Sequence, residues 1–310
     1  METDAWEQLR HFRQELYNDL GLRQDSLFEL VDAVLTTPQR STLVRLSLST
    51  AFRRLWPSTC DALADGSVDV SALRKLFAGT LEDSATVDGR PLWVIDGTNW
   101  PRPAARASAD RTWEYRPLTG WPQNGIVPAW AYQWLVAVPD VAGSWVLPLD
   151  VQRRGPTAES ATQVALEQIV AVRHAQAAHT PRPVVTLDSG YDLETLARST
   201  VDADLVVRLA KHRVVYHVAE RHPDRGRPRL HGEAFRLADD GIHGQPQLST
   251  RLIHAAYGEV RIEPGPSSTW LAPQMLRSAW CVSKSSACPT RSCRRDPCGW
   301  PGLAAHCQLT

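Results

Sequence analysis

Two short, largely apolar runs, Leu92-Trp93-Val94-Ile95 and Val184-Val185-Thr186-Leu187, each lead into an aspartate and then a glycine: Asp96 before Gly97, and Asp188 before Ser189-Gly190. A strand that reads as a nearly continuous apolar run is buried on both faces, as in a parallel sheet covered by helices. Open α/β sheets place ligands in the crevice beyond the carboxyl ends of such strands. The two runs therefore predict carboxylates at the C-terminal ends of two buried strands. On neighbouring strands the pair can share a divalent ion, because Mg²⁺ is often held by one or two carboxylates together with substrate phosphates. The plainer use of a strand-end aspartate is to accept the N–H groups of the turn that follows. The runs alone leave both uses open.

The rest of the chain sets the frame around them. With 310 residues it is long enough for one substantial core and a smaller domain. It contains no run of eighteen apolar residues. Residues 1–20 mix Glu, Asp, Arg and Trp6 and lack the apolar stretch of an export signal. A cytoplasmic protein without membrane contact is the expectation. Residues 1–85 read as a helical N-terminal domain. Ser26 can cap a helix with Leu27, Leu30, Val31, Val34 and Leu35 on one face, ending before Pro38, and Ser41 can open another through Leu43, Leu46 and Phe52. From Pro91 onward strand-like runs take over. Residues 130–138 and 144–151 flank a hairpin signal, residues 157–177 read as a crossover helix to the strand ending at Asp188, and a strand over 205–209 follows a helix beginning near Tyr191.

Motifs around the two aspartates carry a family resemblance. Val94-Ile-Asp-Gly-Thr98, Gly120-Trp121, Trp130-Ala-Tyr-Gln-Trp134, Ser144-Trp-Val-Leu-Pro-Leu-Asp150 and Leu187-Asp-Ser-Gly-Tyr-Asp192 together resemble the catalytic core of an insertion-sequence DDE transposase, in a branch frequent in actinobacteria. Ser41-Thr-Leu-Val-Arg-Leu-Ser47, residues 61–69 and Arg225-Gly-Arg-Pro-Arg-Leu-His-Gly232 extend the resemblance over roughly residues 40 to 264. It implies an α/β, RNase H-like mixed sheet with flanking helices over residues 86–264. Asp96 lies on the first strand and Asp188 on the adjacent, parallel fourth. It also implies that Asp96 and Asp188 are catalytic and hold Mg²⁺ (or Mn²⁺), and that the partners are DNA, as transposon ends and target. A homodimer is left open. The N-terminal helices become a candidate for binding the element's ends, the alternative being a helical cap that only buries its apolar face. The family's third acid follows the basic Gly-Arg-Pro motif on a later helix, and no residue here matches it.

The end of the chain departs from the family. Five of the six cysteines (Cys281, Cys288, Cys293, Cys298 and Cys307) fall in the last thirty residues, separated by six, four, four and eight residues. Structural zinc sites use closer pairs, and a disulfide cluster belongs to exported chains. Of the 34 basic residues only Lys75, Lys211 and Lys284 are lysines, the mark of GC-rich coding DNA. Codons consistent with Pro264 onward, read two bases later, permit a translation with the VRL, VERLP and PVWL blocks of the family's continuation. Residues 265–310 are therefore expected to be an out-of-frame, poorly ordered tail, with the third acid lost downstream. Glu259 and Glu263 could share a helix face, but no family motif surrounds them.

The formal charge is zero, so any nucleic-acid contact must be local. Between Arg208 and Arg229, seven basic residues face two acids. Arg208, Lys211, Arg213, Arg225, Arg227 and Arg229 are the candidate phosphate contacts, the alternative being a solvated loop. Most of the tryptophans from Trp93 to Trp145 are expected in the core. Asp192 is expected in the first turn of a helix and Asp150 in a structural hydrogen bond. The expected function is a DDE transposase, cutting and joining DNA strands, that is inactive in this chain for want of the third acid. The alternative is a DNA-binding or multimerising remnant.

Overall fold

A computed structural model of the chain describes residues 2–38, 42–80, 86–116, 125–140, 145–157, 160–210, 212–216, 232, 234–236, 250–254, 258–264 and 281–285. Its contacts divide the chain into two compact units, one of 1–83 with 147–150 and 170–180, the other of the remaining residues.

The first unit begins with five helices: α1 (Glu2–Asn18), α2 (Gln24–Thr36), α3 (Leu43–Leu46), α4 (Pro57–Asp65) and α5 (Val70–Gly79). Leu30, Ala33, Leu46 and Phe52 form one buried cluster with Leu43 against it. Two expected helix starts move. Ser26 lies inside α2, whose N-cap is Arg23 in the left-handed region with φ 60°. The helix reaches back past Ser26 because Gln24 Nε2 and the Asp25 carboxylate are fastened to Tyr17 of α1, at 2.5 and 2.6 Å. The second helix is a single turn capped by Thr42, whose hydroxyl accepts the Arg45 N–H at 3.3 Å. Phe52 reaches the cluster from a following loop and not from that helix. Ser41 lies outside the described residues. Buried Glu29 is compensated by the Arg53 backbone N–H and side chain, both at 3.1 Å. Buried Asp150 accepts two bonds from Arg74, Nε at 3.2 Å and Nη2 at 2.8 Å, the structural role expected of it.

The second unit is built on a mixed sheet of β1 (Thr86–Val87), β2 (Arg90–Pro101), β3 (Thr112–Arg116), β4 (Gly125–Ala137), β5 (Leu147–Arg154), β6 (Val184–Leu187) and β7 (Asp204–Val207). Neighbours run β3-β4-β2-β6-β7, with β1 on β2 and β5 on β4. β2 and β4 pair antiparallel, whereas β2, β6 and β7 pair parallel. The chain is thus α/β with a mixed sheet, and the order β5-β4-β2-β6-β7 is consistent with the RNase H-like expectation. Between β5 and β6 lies α6 (Ala161–Ala175), shorter than expected because Ser160 caps it, accepting the Gln163 N–H at 3.2 Å. Gln133 of β4 and Gln168 of α6 are fully buried and bond each other at 3.3 Å. A short α7 (Leu193–Arg198) joins β6 to β7.

Two smaller antiparallel sheets follow among the described residues. β8 (Val214–Tyr216) pairs with β9 (Ala234–Arg236), and β10 (Thr250–His254) pairs with β11 (Gly258–Pro264), which also pairs with β12 (Cys281–Ser285). Glu259 and Glu263 therefore lie on a strand and share no helix face; the alternating Val260 and Ile262 carry a strand's period. Of 265–310, only the five residues of β12 are described.

Candidate active site

Asp96 and Asp188 come together by register. β2 and β6 pair Leu92 with Val184, Trp93 with Val185, Val94 with Thr186 and Ile95 with Leu187, so the next residue on each strand is an aspartate. Parallel neighbours lie about 4.8 Å apart, and Trp93, Ile95 and Val185 are essentially without solvent contact. Burial fixes the register, since a slip by one residue would exchange the two faces. One expectation fails here. Asp188 directly follows the end of β6, but β2 continues through Asp96 to Pro101, paired with β4 from Asp96 opposite Trp134 to Pro101 opposite Ala129. Gly97 is strand and not turn, because β4 goes on supplying hydrogen bonds after β6 has stopped.

Each carboxylate spends one oxygen on the backbone beside it. Asp96 Oδ1 accepts the Gly97 N–H at 2.7 Å, and Asp188 Oδ1 accepts the Gly190 N–H at 2.8 Å. A Cβ at position 190 would stand 3.0 Å from that same Oδ1, which is why the turn carries glycine there. Asp188 thus caps its turn while Asp96 bonds the next N–H of its own strand, and each has a second oxygen to offer a ligand. Asp96 is exposed at the surface yet partly enclosed by protein. That burial pushes its carboxyl above the usual range, the Gly97 N–H pulls it back, and the Asp188 charge pushes it further up. Two like charges held at one edge are what a cation relieves.

Two further residues stand at this edge. Tyr191 is buried, and burial, then the Asp96 and Asp188 charges, raise its hydroxyl while Arg154 opposes them. Arg154 ends β5, three residues beyond the predicted strand, and its Nη2 lies 3.9 Å from where a Cβ on Gly97 would be. Its Nε is buried without a hydrogen bond among the described residues. The signals for both were slight: an aromatic in a polar turn, and two arginines closing a strand. The Asp192 N–H donates to the buried Thr162 hydroxyl at 2.8 Å, which ties the turn after Asp188 to α6. Asp192 is itself the N-cap of α7, one position before the first turn, and accepts the Thr195 N–H at 2.8 Å. That capping bond holds its carboxyl below the ordinary range.

Of the predicted phosphate contacts, Arg208 follows β7 directly, and its N–H donates to the Leu187 carbonyl at 2.9 Å. Asp96, Asp188 and Arg208 are thus successive neighbours across three strands. Arg213 is exposed, and its charge acts on Asp192. Lys211, Arg225, Arg227 and Arg229 lie outside the described residues, as do Gly120 and Trp121. Among the described residues no group of three or more His, Cys, Asp or Glu side chains is placed to hold a metal.

The sequence matches the family described as DDE superfamily endonuclease over residues 15–261, from α1 to β11. The chain belongs to that family. No curated protein matches it. DDE endonucleases act on DNA and typically use divalent metal, which fits two carboxylates meeting at the edge of a mixed sheet. Among the described residues no helix is long and apolar enough to cross a membrane.

Proposed function

We propose that this DDE endonuclease is the transposase of an insertion sequence, and that the 310-residue form is catalytically dead or nearly so. The observation that carries the reading is the β2–β6 register, which sets Asp96 and Asp188 side by side at an edge shared with Arg208. Asp96 and Asp188 would hold Mg²⁺ or Mn²⁺: both are hard oxygen donors, and each spends Oδ1 on a neighbouring backbone N–H and has a second oxygen to offer. When bound, the metal polarises the scissile phosphate and activates the attacking water or 3′-hydroxyl. Arg208 supplies a guanidinium fork for a phosphate beside the carboxylates. Buried Tyr191 lies within electrostatic reach of the pair, and Arg154 adds positive charge beside Gly97. The basic run through Arg213, Lys211, Arg225, Arg227 and Arg229 grips the DNA, and the reaction belongs to the cytoplasm.

The inactivity rests on the missing third acid, which the family places beyond the basic motif and which we assign to the other reading frame, past Pro264. A metal-dependent cleavage assay tests this on the 310-residue chain and on the product of the alternative frame. Cleavage by the longer product, lost in Asp96→Asn, is the expected result. Cleavage by the short chain that vanishes in Asp96→Asn would overturn its inactivity, and a gene whose nucleotides forbid the second frame would remove the frameshift. A second reading, a DNA-binding or multimerising remnant, is favoured for this form by the same missing acid; it predicts salt-sensitive DNA binding that needs no metal.

A further inference from the structure

The sheet face that carries Asp96 also carries aromatic side chains, half-buried at its centre and exposed towards Trp100 and β3. Strand alternation puts Asp96, Thr98 and Trp100 of β2 on one side, opposite Trp134, Tyr132 and Trp130 of β4. The Trp134 Nε1–H donates to Thr98 Oγ1 at 3.0 Å, as that placement requires. β3 adds Trp113 opposite Pro128 and Tyr115 opposite Ile126 on the same side. The reverse face is the core, with Trp93, Ile95, Gln133 and Leu135 fully buried. On the Asp96 face, Trp100 is 60% exposed, Trp113 57%, Tyr115 69% and Ile126 68%. The tryptophans were expected inside, and these two are not.

Arginines dress this surface. The Arg102 and Arg153 guanidinium carbons each lie 4.7 Å from the centre of the Trp130 ring, and that of Arg111 lies 5.4 Å from the Trp113 ring. Trp100 meets Trp130 edge to face at 6.5 Å. The arrangement is held in place. Arg153 Nη2 donates to the Ala109 carbonyl at 2.9 Å, Arg111 to the Ser108 carbonyl at 3.1 Å, and the Trp130 Nε1–H to the Ser108 hydroxyl at 3.0 Å. An open cleft of about 260 Å³, lined by Asp110, Arg153, Gly155 and Thr157, adjoins it.

Exposed rings interleaved with fixed arginines are the equipment for an unpaired nucleic-acid strand. Bases stack on the rings, whatever the sequence, and guanidinium groups take the phosphates. Trp100 is four residues beyond Asp96 on one strand, roughly 13 Å at 3.3 Å per residue, a span of about two nucleotides. We propose that this face holds an unpaired stretch of DNA beside the scissile phosphate, with bases stacked on Trp100, Trp113 and Tyr115 and phosphates on Arg102, Arg111 and Arg153. The assignment rests on the DNA-processing reading of the Asp96–Asp188 edge and adds that the strand there is not in a duplex.

The test is binding of a labelled 20-nucleotide single strand, and of the same sequence as a duplex, to the full chain in EDTA, read by fluorescence anisotropy. Wild type should prefer the single strand. Trp100→Ala, or Trp113→Ala with Tyr115→Ala, should weaken single-strand binding about tenfold or more and leave duplex binding within about twofold. Trp113→Phe, which keeps a ring, should recover most of the loss, and Trp145→Ala, at a tryptophan 84% exposed that precedes β5 and belongs to neither β2, β3 nor β4, should change nothing. Unchanged single-strand binding in the alanine variants, or equal loss on both DNAs, overturns the proposal while duplex binding leaves the DNA reading standing. No binding of either DNA by wild type sinks both. Intact DNA binding together with conversion of a dimer to a monomer in Trp113→Ala would show that the face joins two copies of the chain, and would also overturn it.

Discussion

The charged form of the Asp96 carboxyl is disfavoured, by burial first and by Asp188 last, a cost that a cation at the proposed Asp96–Asp188 site would relieve. The Asp96 carboxyl is thereby raised, so between its unfolded and folded values the native state binds more protons than the unfolded one. Native stability therefore falls as pH rises through that interval and stays reduced above it. Asp96→Asn keeps an acceptor for the Gly97 N–H and removes the charge. In EDTA its melting temperature should exceed wild type at pH 7, with the gap closing below about pH 4. Adding Mg²⁺ should raise the wild-type value and leave the variant where it was. A variant less stable than wild type at pH 7 in EDTA would show that the pair is not strained. Asp192 has the opposite sign. Its carboxyl is held low by the Thr195 bond, so its contribution is full above the ordinary aspartate value and lost as pH falls through the folded one.

Elements carry these residues, and their ends are where single changes act. α7 has six residues and one side-chain cap, Asp192, and it joins the strand of Asp188 to the strand before Arg208. Removing a cap costs about 1 kcal/mol. Asp192→Ala should lower stability by about that amount at pH 7 in urea titrations, and by less at pH 3, where the wild-type cap is weakened too. An equal loss at both pH values would mean that the side chain acts by packing alone. β2 shows the other side of element logic. Its twelve residues serve two partners in turn, β6 up to Ile95 and β4 through Pro101, so one strand delivers a carboxylate mid-course and an aromatic platform at its end.

For the molecule as a whole, zero formal charge confines DNA affinity to local patches. If Arg208 contacts a phosphate, Arg208→Ala should reduce the slope of log affinity against log salt by about 0.9 for duplex DNA; an unchanged slope would remove it from the interface. Within the helical unit, the Arg74–Asp150 pair joins residues 76 positions apart, with side chains 19% and 4% exposed. Taking away one partner of a buried pair removes most of what compensates the other charge. Arg74→Met should therefore cost about 3 kcal/mol, and Arg74→Met with Asp150→Leu appreciably less. A double change that costs as much as the Arg74→Met and Asp150→Leu changes added together would show that the pair is not coupled.

Much of this was legible along the chain because its signals are local. The apolar runs before Asp96 and Asp188 announced two buried strands by composition, the turn signals gave the alternation of elements, and the motif order gave the family. Pairing is not local. Nothing in residues 92–101 says that β4 stays beside β2 after β6 ends, so a strand was expected to stop at Asp96 and runs on to Pro101. The same extension decides where the aromatics go: the pattern marks Trp100 and Trp113 as apolar, but which sheet face a helix covers is settled only by what packs there. Tyr191 and Arg154 became neighbours of the carboxylates through a turn and a strand end whose directions no spacing fixes. The sequence determined by itself which strands are buried and which carboxylates follow them, since burial depends on side-chain type. The tertiary structure alone decided which residues share an edge and which face stays open, since those depend on hydrogen-bonded register between segments far apart in the chain.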